Sequence, residues 1–248
     1  MAISVPNAEL KASEEYRTLR EGLLSTVQYE SSFRDSLCNL VEKSYSKSQN
    51  ADNVEAVLWK LWQSVTSLAV ESTSDSERQR LVDLILELQK RPDLEESGKV
   101  CKVWDAVVWR DLPVLGAQMR EAWNETADDS SPKESQIQWL NLNAFTATLV
   151  ASAHAKSDQP DLSIFGLWTI RTALEESTDK PDGVSLVAAK LWFKHASSAV
   201  HDFSEKSKVF DGKVAKPGFS YSKESWRGFS PERWDVWQQR LGELGTAD

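Results

Sequence analysis

Three histidines and two cysteines are few for a chain of 248 residues, and they leave little from which to build a transition-metal site. Cys38 and Cys101 form no C-x-x-C pair, and His195 and His201 fall on different faces of one predicted helix. No metal and no cofactor is expected. The thiols read as free and buried, in a reducing compartment. The chain lacks G-x-x-x-x-G-K-[ST], a G-x-G-x-x-G after a strand, a G-x-S-x-G elbow, the kinase signatures and H-E-x-x-H. These absences exclude a phosphate loop, a dinucleotide fingerprint, a hydrolase elbow and a zincin site. Glycine and proline, at 10 and 8, exclude collagen-like and low-complexity classes. No apolar run approaches the ~18 residues of a membrane span. Met1 to Lys11 contains no apolar h-region, so no secretory signal is expected. The expected location is the cytoplasm, with the nucleus left open.

Charge excludes a further class. Lys and Arg number 29 against 38 Asp and Glu, a net charge of −9. Nucleic-acid binding needs a clustered basic surface, so no nucleic-acid partner is expected, and no membrane. One stretch runs the other way. Between Lys206 and Gly228, Lys206, Lys208, Lys213, Lys216, Lys223 and Arg227 face only Asp211 and Glu224. It reads as a solvated loop or as an anion-binding one.

What the chain does have is helical periodicity. Val54, Val57, Leu58, Leu61, Trp62, Val65, Leu68 and Ala69 fill the helix template without a miss. Asn50 or Asp52 can cap that helix. Ser74 and Glu77 make a capping box ahead of Leu81, Leu84, Ile85 and Leu88. Ser131-Pro132-Lys133-Glu134 is a second start signal, for a helix to about Lys156. Further helices are predicted from Asp161 to about Glu176, from Asp182 to Glu205, and after Pro231. Only Val100 to Val108 is ambiguous. The segment 207–229 carries Phe210, Phe219, Tyr221, Trp226 and Phe229, too many rings for a disordered tail. The expected fold class is therefore all-α: a single compact multi-helix domain of about eight helices over 1–248. Within it, 1–50 holds N-terminal helices, 51–206 the helical body, 207–229 an ordered aromatic loop packed across the bundle, and 230–242 a C-terminal helix.

Candidate site residues are polar groups on apolar stripes, and tryptophans. His195 follows Leu191 and Trp192 by one turn; it reads as a core histidine or as a ligand contact. Arg171 shares a stripe with Ile164, Leu167, Trp168 and Leu174. It reads as paired with Glu175 and stacked on Trp168, or as an anchor in a pocket. Asn141 reads as a hydrogen-bonder between helices, facing with Ile137 and Phe145. The 11 tryptophans are spread along the whole chain, and Trp59 lies off the main stripe of its helix. If rings converge on one cavity, Trp168, Arg171, Trp192, His195, Trp226 and Phe229 are the candidate ligand-binding set.

Two Trp-rich stretches carry a resemblance. One is Val108-Trp109-Arg110-Asp111-Leu112-Pro113-Val114-Leu115-Gly116, continued by Met119 to Asn124. The other is Gly228-Phe229-Ser230-Pro231-Glu232-Arg233-Trp234-Asp235-Val236-Trp237, continued by Arg240-Leu241. With Trp168 to Glu175, they resemble a family of uncharacterised proteins widespread in filamentous fungi, over roughly Val54 to Leu241. The resemblance implies an intracellular helical protein with no agreed activity, and it transfers no catalytic residue. Three functions stay open. The first is binding of a protein partner or an apolar small molecule. The second is an enzyme of fungal secondary metabolism that uses Arg171 or His195 in a Trp-lined pocket. The third is a homodimer joined through a Trp-rich face.

Overall fold

The computed structural model describes residues 6–24, 31–46, 50–156, 159–176 and 180–245. The chain forms two compact units, residues 1–125 and 126–248. The sequence reads as breaking between helices near the Ser-rich stretch at Ser31, at Lys47 to Asn50 and at Ser177 to Gly183, and parts of these stretches lie outside the described residues.

In the first unit, α1 (Ala8–Ala12), α2 (Glu14–Leu24) and α3 (Ser31–Ser46) precede the central helix α4 (Ala51–Glu71). Asn50 caps α4 by accepting from the Asp52 amide at 2.9 Å. The predicted stripe is the buried face of α4, but from Leu61 onward Ser64, Thr66 and Ser67 are buried as well. Ser64 and Thr66 hydroxyls bond to carbonyls of the preceding turn, so the helix is covered all round without a stranded polar group. α5 (Asp75–Leu88) opens on the predicted capping box, with Glu77 N donating to Ser74 Oγ and Ser74 N to Glu77 Oε2.

Two tight hairpins follow, β1 (Glu95–Glu96) with β2 (Lys99–Val100) and β3 (Lys102–Val103) with β4 (Ala106–Val107), and the ambiguous stretch Val100 to Val108 holds the end of the first and all of the second. Each has a two-residue loop with positive φ at both positions: Ser97-Gly98, then Trp104-Asp105. That geometry matches the twist of the flanking strands. A short α6 (Val108–Asp111) leads to α7 (Leu115–Trp123). The Pro113 carbonyl accepts from Trp62 Nε1 at 2.9 Å and so ties this lead-in to α4.

The second unit packs α8 (Lys133–His154), α9 (Ser163–Leu174) and α10 (Gly183–Glu205), followed by the strap 207–229 and α11 (Pro231–Gly245). Ser131 does not cap α8. Its hydroxyl instead closes a loop on Asp128, and Pro132 takes the cap position. Asn143, two residues after Asn141, bonds between helices. Asn143 Oδ1 accepts from Trp192 Nε1 at 2.9 Å and from Thr169 Oγ1 at 3.0 Å, which joins α8, α9 and α10 in the core. Ile137, expected on the inner face, is 58% exposed. The described residues are all-α apart from the two hairpins, and none of their helices is long and apolar enough to cross a membrane.

The start of α10 is capped by two aspartates. Asp182 accepts from Ser185 N, and Asp129 accepts from Gly183 N at 2.8 Å and Val184 N at 3.0 Å. These amides hold the Asp129 carboxyl below the usual carboxylate range. A depressed carboxyl stabilises the fold above its unfolded pKa of ~3.9, and the contribution is lost as pH falls through the lower folded value. The melting temperature should therefore fall more steeply below pH ~4 in the parent chain than in Asp129→Ala. Parallel pH profiles of the two proteins would show that the cap does not contribute.

Candidate functional site

At the C-terminal end of α9 a charge is buried completely. Glu175 and Arg233 are both 0% exposed. Burial of two ions is tolerable only when every donor and acceptor is met. Here they are met. Arg233 Nε donates to Glu175 Oε1 at 2.7 Å and Nη2 to Oε2 at 2.9 Å, a bidentate fork. Its remaining donors reach backbone carbonyls of Gly228 (2.7 Å), Ala215 (3.2 Å) and Lys216 (3.3 Å). Glu175 also accepts from Trp237 Nε1 and from the Gly218 amide, both at 2.7 Å. The guanidinium carbon lies 5.5 Å from the ring centroids of both Trp226 and Trp237.

This pair fastens the strap. Three of its carbonyls bond to Arg233, and its Gly218 amide bonds to Glu175. The approach is so close that a Cβ at Gly218 would sit 2.6 Å from the Glu175 Cβ, so only glycine fits. The two ends of the strap are zipped by the Val209–Gly228 bridge, where Phe229 N donates to the Lys208 carbonyl at 2.9 Å. Gly228 has φ 140, and a side chain there would strike that same carbonyl. Lys208 then ion-pairs with Asp161 at 2.8 Å and lies 4.4 Å from the Phe203 ring centroid. Burial alone would raise the Asp161 carboxyl, but the Lys208 ammonium and the Ser163 hydroxyl outweigh it and hold it low.

The six candidate ligand residues fall into three places. Trp168 and Arg171 on α9 both donate to the Val214 carbonyl of the strap at 3.1 Å, from Nε1 and Nη1. Arg171 sits 3.6 Å from Glu176 rather than pairing with Glu175, which Arg233 takes. Trp192 is fully buried in the Asn143 junction, and His195 is half-buried one turn further along α10. Trp226 and Phe229 flank the buried pair. Phe229 packs against Phe203, Phe210 and Trp237 with centroids 5.5–6.1 Å apart. The structure therefore gathers Trp168, Arg171, Trp226 and Phe229 around the strap and leaves Trp192 and His195 on α10. Two clefts lie elsewhere, in the first unit. One of about 140 Å³ has Arg20, Glu71 and Glu77 over Leu23, Leu68 and Leu81. The other, of about 100 Å³, lies by Asn7, Leu10 and Lys60.

Glu175, Arg233 and Trp237 were missed as a unit by sequence reasoning. A signal existed: Phe229, Arg233 and Trp237 are spaced i, i+4, i+8, which places an arginine inside an aromatic stripe. Neither cysteine is set up as a thiolate. Burial pushes the Cys38 thiol up to about 11 and raises Cys101 as well. Among the described residues no group of three or more His, Cys, Asp or Glu side chains is placed to hold a metal.

Truncating one partner of the pair should be severe. Glu175→Ala or Arg233→Ala should each cost about 3–5 kcal/mol in urea unfolding, because one buried charge is left without its partner. Both variants should also become sensitive to trypsin after Lys213 and Lys223. The double variant Glu175→Leu/Arg233→Met should recover only part of the loss, because it removes both buried charges but leaves the strap carbonyls, the Gly218 amide and the Trp237 indole without their partners, and it should remain sensitive at both sites. A strap that stays protected in the single variants would show that the pair does not anchor it.

Comparison with known proteins agrees with the resemblance to an uncharacterised fungal family. The chain is 28% identical to "Oxopyrrolidines biosynthesis cluster protein G" of Penicillium oxalicum (strain 114-2 / CGMCC 5302), over 78% of this chain and 60% of that protein. It thus spans about 60% of the length of the curated relative it matches. No solved structure matches it. Residues 62–241, which hold all three stretches of the resemblance, match the family model described as "Protein of unknown function (DUF3632)", and the chain belongs to that family.

Proposed function

We propose that this is a binding protein that presents the strap 207–229 to an acidic surface on a protein partner. One observation carries the reading: Phe219 is 80% exposed although its backbone is held on both sides. Gly218 N donates to the Glu175 carboxylate at 2.7 Å, Phe219 N to the Glu176 carboxylate at 3.2 Å, and Ser220 N to the Glu175 carbonyl at 2.9 Å. A phenyl ring held in water on a rigid backbone has already met its ordering cost. Binding anchors are built this way. Val209, 68% exposed, adds apolar surface to the strap.

The charge along the strap defines the partner. Lys206, Lys213, Lys216, Lys223 and Arg227 are all exposed. On a chain of net charge −9 this local excess of positive charge is complementary to an acidic rim around an apolar pocket. The Penicillium relative is named for a biosynthesis cluster. On that footing the partner belongs to small-molecule biosynthesis.

The relative's name also favours a second reading, an enzyme of secondary metabolism that uses Arg171 or His195. Native mass spectrometry of the chain purified from its producing cells separates the two. A complex with a second protein should appear, weaken at high salt, and be lost in Phe219→Ala with the melting temperature unchanged. A small molecule retained equally by the parent chain and Phe219→Ala would favour the enzyme. A dimer of the chain that Phe219→Ala dissolves would make a second copy the partner. A protein complex that survives the substitution would overturn the strap as the docking element.

A further inference from the structure

Trp59 lies off the inner stripe of α4, and the loop joining β3 to β4 shows what covers it. Trp104 occupies the first loop position with φ 52, followed by Asp105 with φ 63. Such loops favour glycine or asparagine, and a bulky aromatic in left-handed backbone is strained. Local strain of this kind is retained where a site uses it. The fold gains little burial in return, because Trp104 is 56% exposed.

The two indoles share one carboxylate. Trp59 Nε1 donates to Glu55 Oε1 at 3.3 Å and Trp104 Nε1 to Glu55 Oε2 at 3.1 Å. Their ring centroids are 6.0 Å apart with planes at 68°. Both indole N–H groups, the rings' electropositive edges, point at Glu55. With its N–H edge turned to Glu55, the exposed Trp104 indole offers solvent the π-system, which is electronegative on its faces, beside a formal negative charge. Asp105 in the loop and Asp52, one turn before Glu55 on α4, add negative charge at this end, against Lys102 on β3. Anions are repelled from such a corner, and neutral apolar groups gain contact but no charge term. A cation carrying apolar or planar surface gains both.

We infer that Trp59, Trp104 and Glu55 form a binding corner for a guanidinium or alkylated ammonium group. The group belongs to a free small molecule or to an arginine or methylated lysine side chain. The site lies in the first unit and owes nothing to the strap or to the function proposed for it.

The test follows the indole N–H signals of the 15N-labelled full chain, with Trp59→Phe and Trp104→Phe used for assignment. Tetramethylammonium, N-acetyl-trimethyllysine amide and N-acetylarginine amide are added in turn, and 3,3-dimethylbutan-1-ol serves as the neutral match in shape. At least one cation should shift the Trp59 and Trp104 signals saturably, and the alcohol should not. Tetramethylammonium acting alone would point to a small cation, and the two amides acting alone to a protein side chain. Glu55→Gln should weaken the response by up to about fivefold, the size of an exposed ion-pair contribution. Trp104→Gly, which also relieves the backbone, should abolish it while the chain melts no lower. An equal response to the alcohol, no response to any cation, or unchanged binding in Trp104→Gly would overturn the site.

Discussion

A carboxylate and a guanidinium with no access to water govern the second unit. Glu175 and Arg233 cannot be left half-satisfied in a medium of low dielectric, so each remaining lone pair and N–H sets the position of something else. Arg233 holds the carbonyls of Ala215, Lys216 and Gly228; Glu175 holds the Gly218 amide and the Trp237 indole. A segment with little regular structure gains a fixed shape in this way. Buried ion pairs are seldom retained for net stability, since apolar packing does as well. Here the pair does what apolar packing cannot, because only charged groups can satisfy so many loop backbone groups at once.

That constraint explains why the fold was legible in the sequence and the arrangement of the strap was not. Helices α4, α5, α9 and α10 follow from periodicity and capping, which act within a few residues. Glu175 and Arg233 are far apart in sequence, and local geometry offered Glu175 a nearer partner in Arg171. The nearer residue loses because Arg171 keeps part of its surface in water and turns its Nη1 to Val214. Arg233, fully enclosed, has no alternative to the carboxylate.

The same competition between local pattern and enclosure decides the other misreadings. α8 is apolar nearly all round, so its pattern has no clear inner face, and Asn141 and Asn143 look equivalent in the sequence. The convergence of Trp192 and Thr169 on Asn143, which joins three helices, has no local signal in the sequence. Trp59 was the opposite case. Its place off the stripe signalled that a second surface must meet α4, but nothing in the sequence near it indicated that a hairpin tip would supply that surface.

Tryptophan therefore has two distinct uses in this chain. Trp62, Trp192 and Trp237 are enclosed, and each gives its indole N–H to an oxygen that joins separate elements. Their number reflects a need for large rings that can also make one directed bond in the core. Trp104 makes such a bond too, yet leaves most of its ring in water. Phe219 lies bare on a rigid strap that has no need of its ring. An aromatic that a fold both exposes and holds still adds nothing to the core, and holding it still restricts its freedom. On the functions proposed for the strap and for the Trp104 corner, these two rings answer to binding rather than to folding.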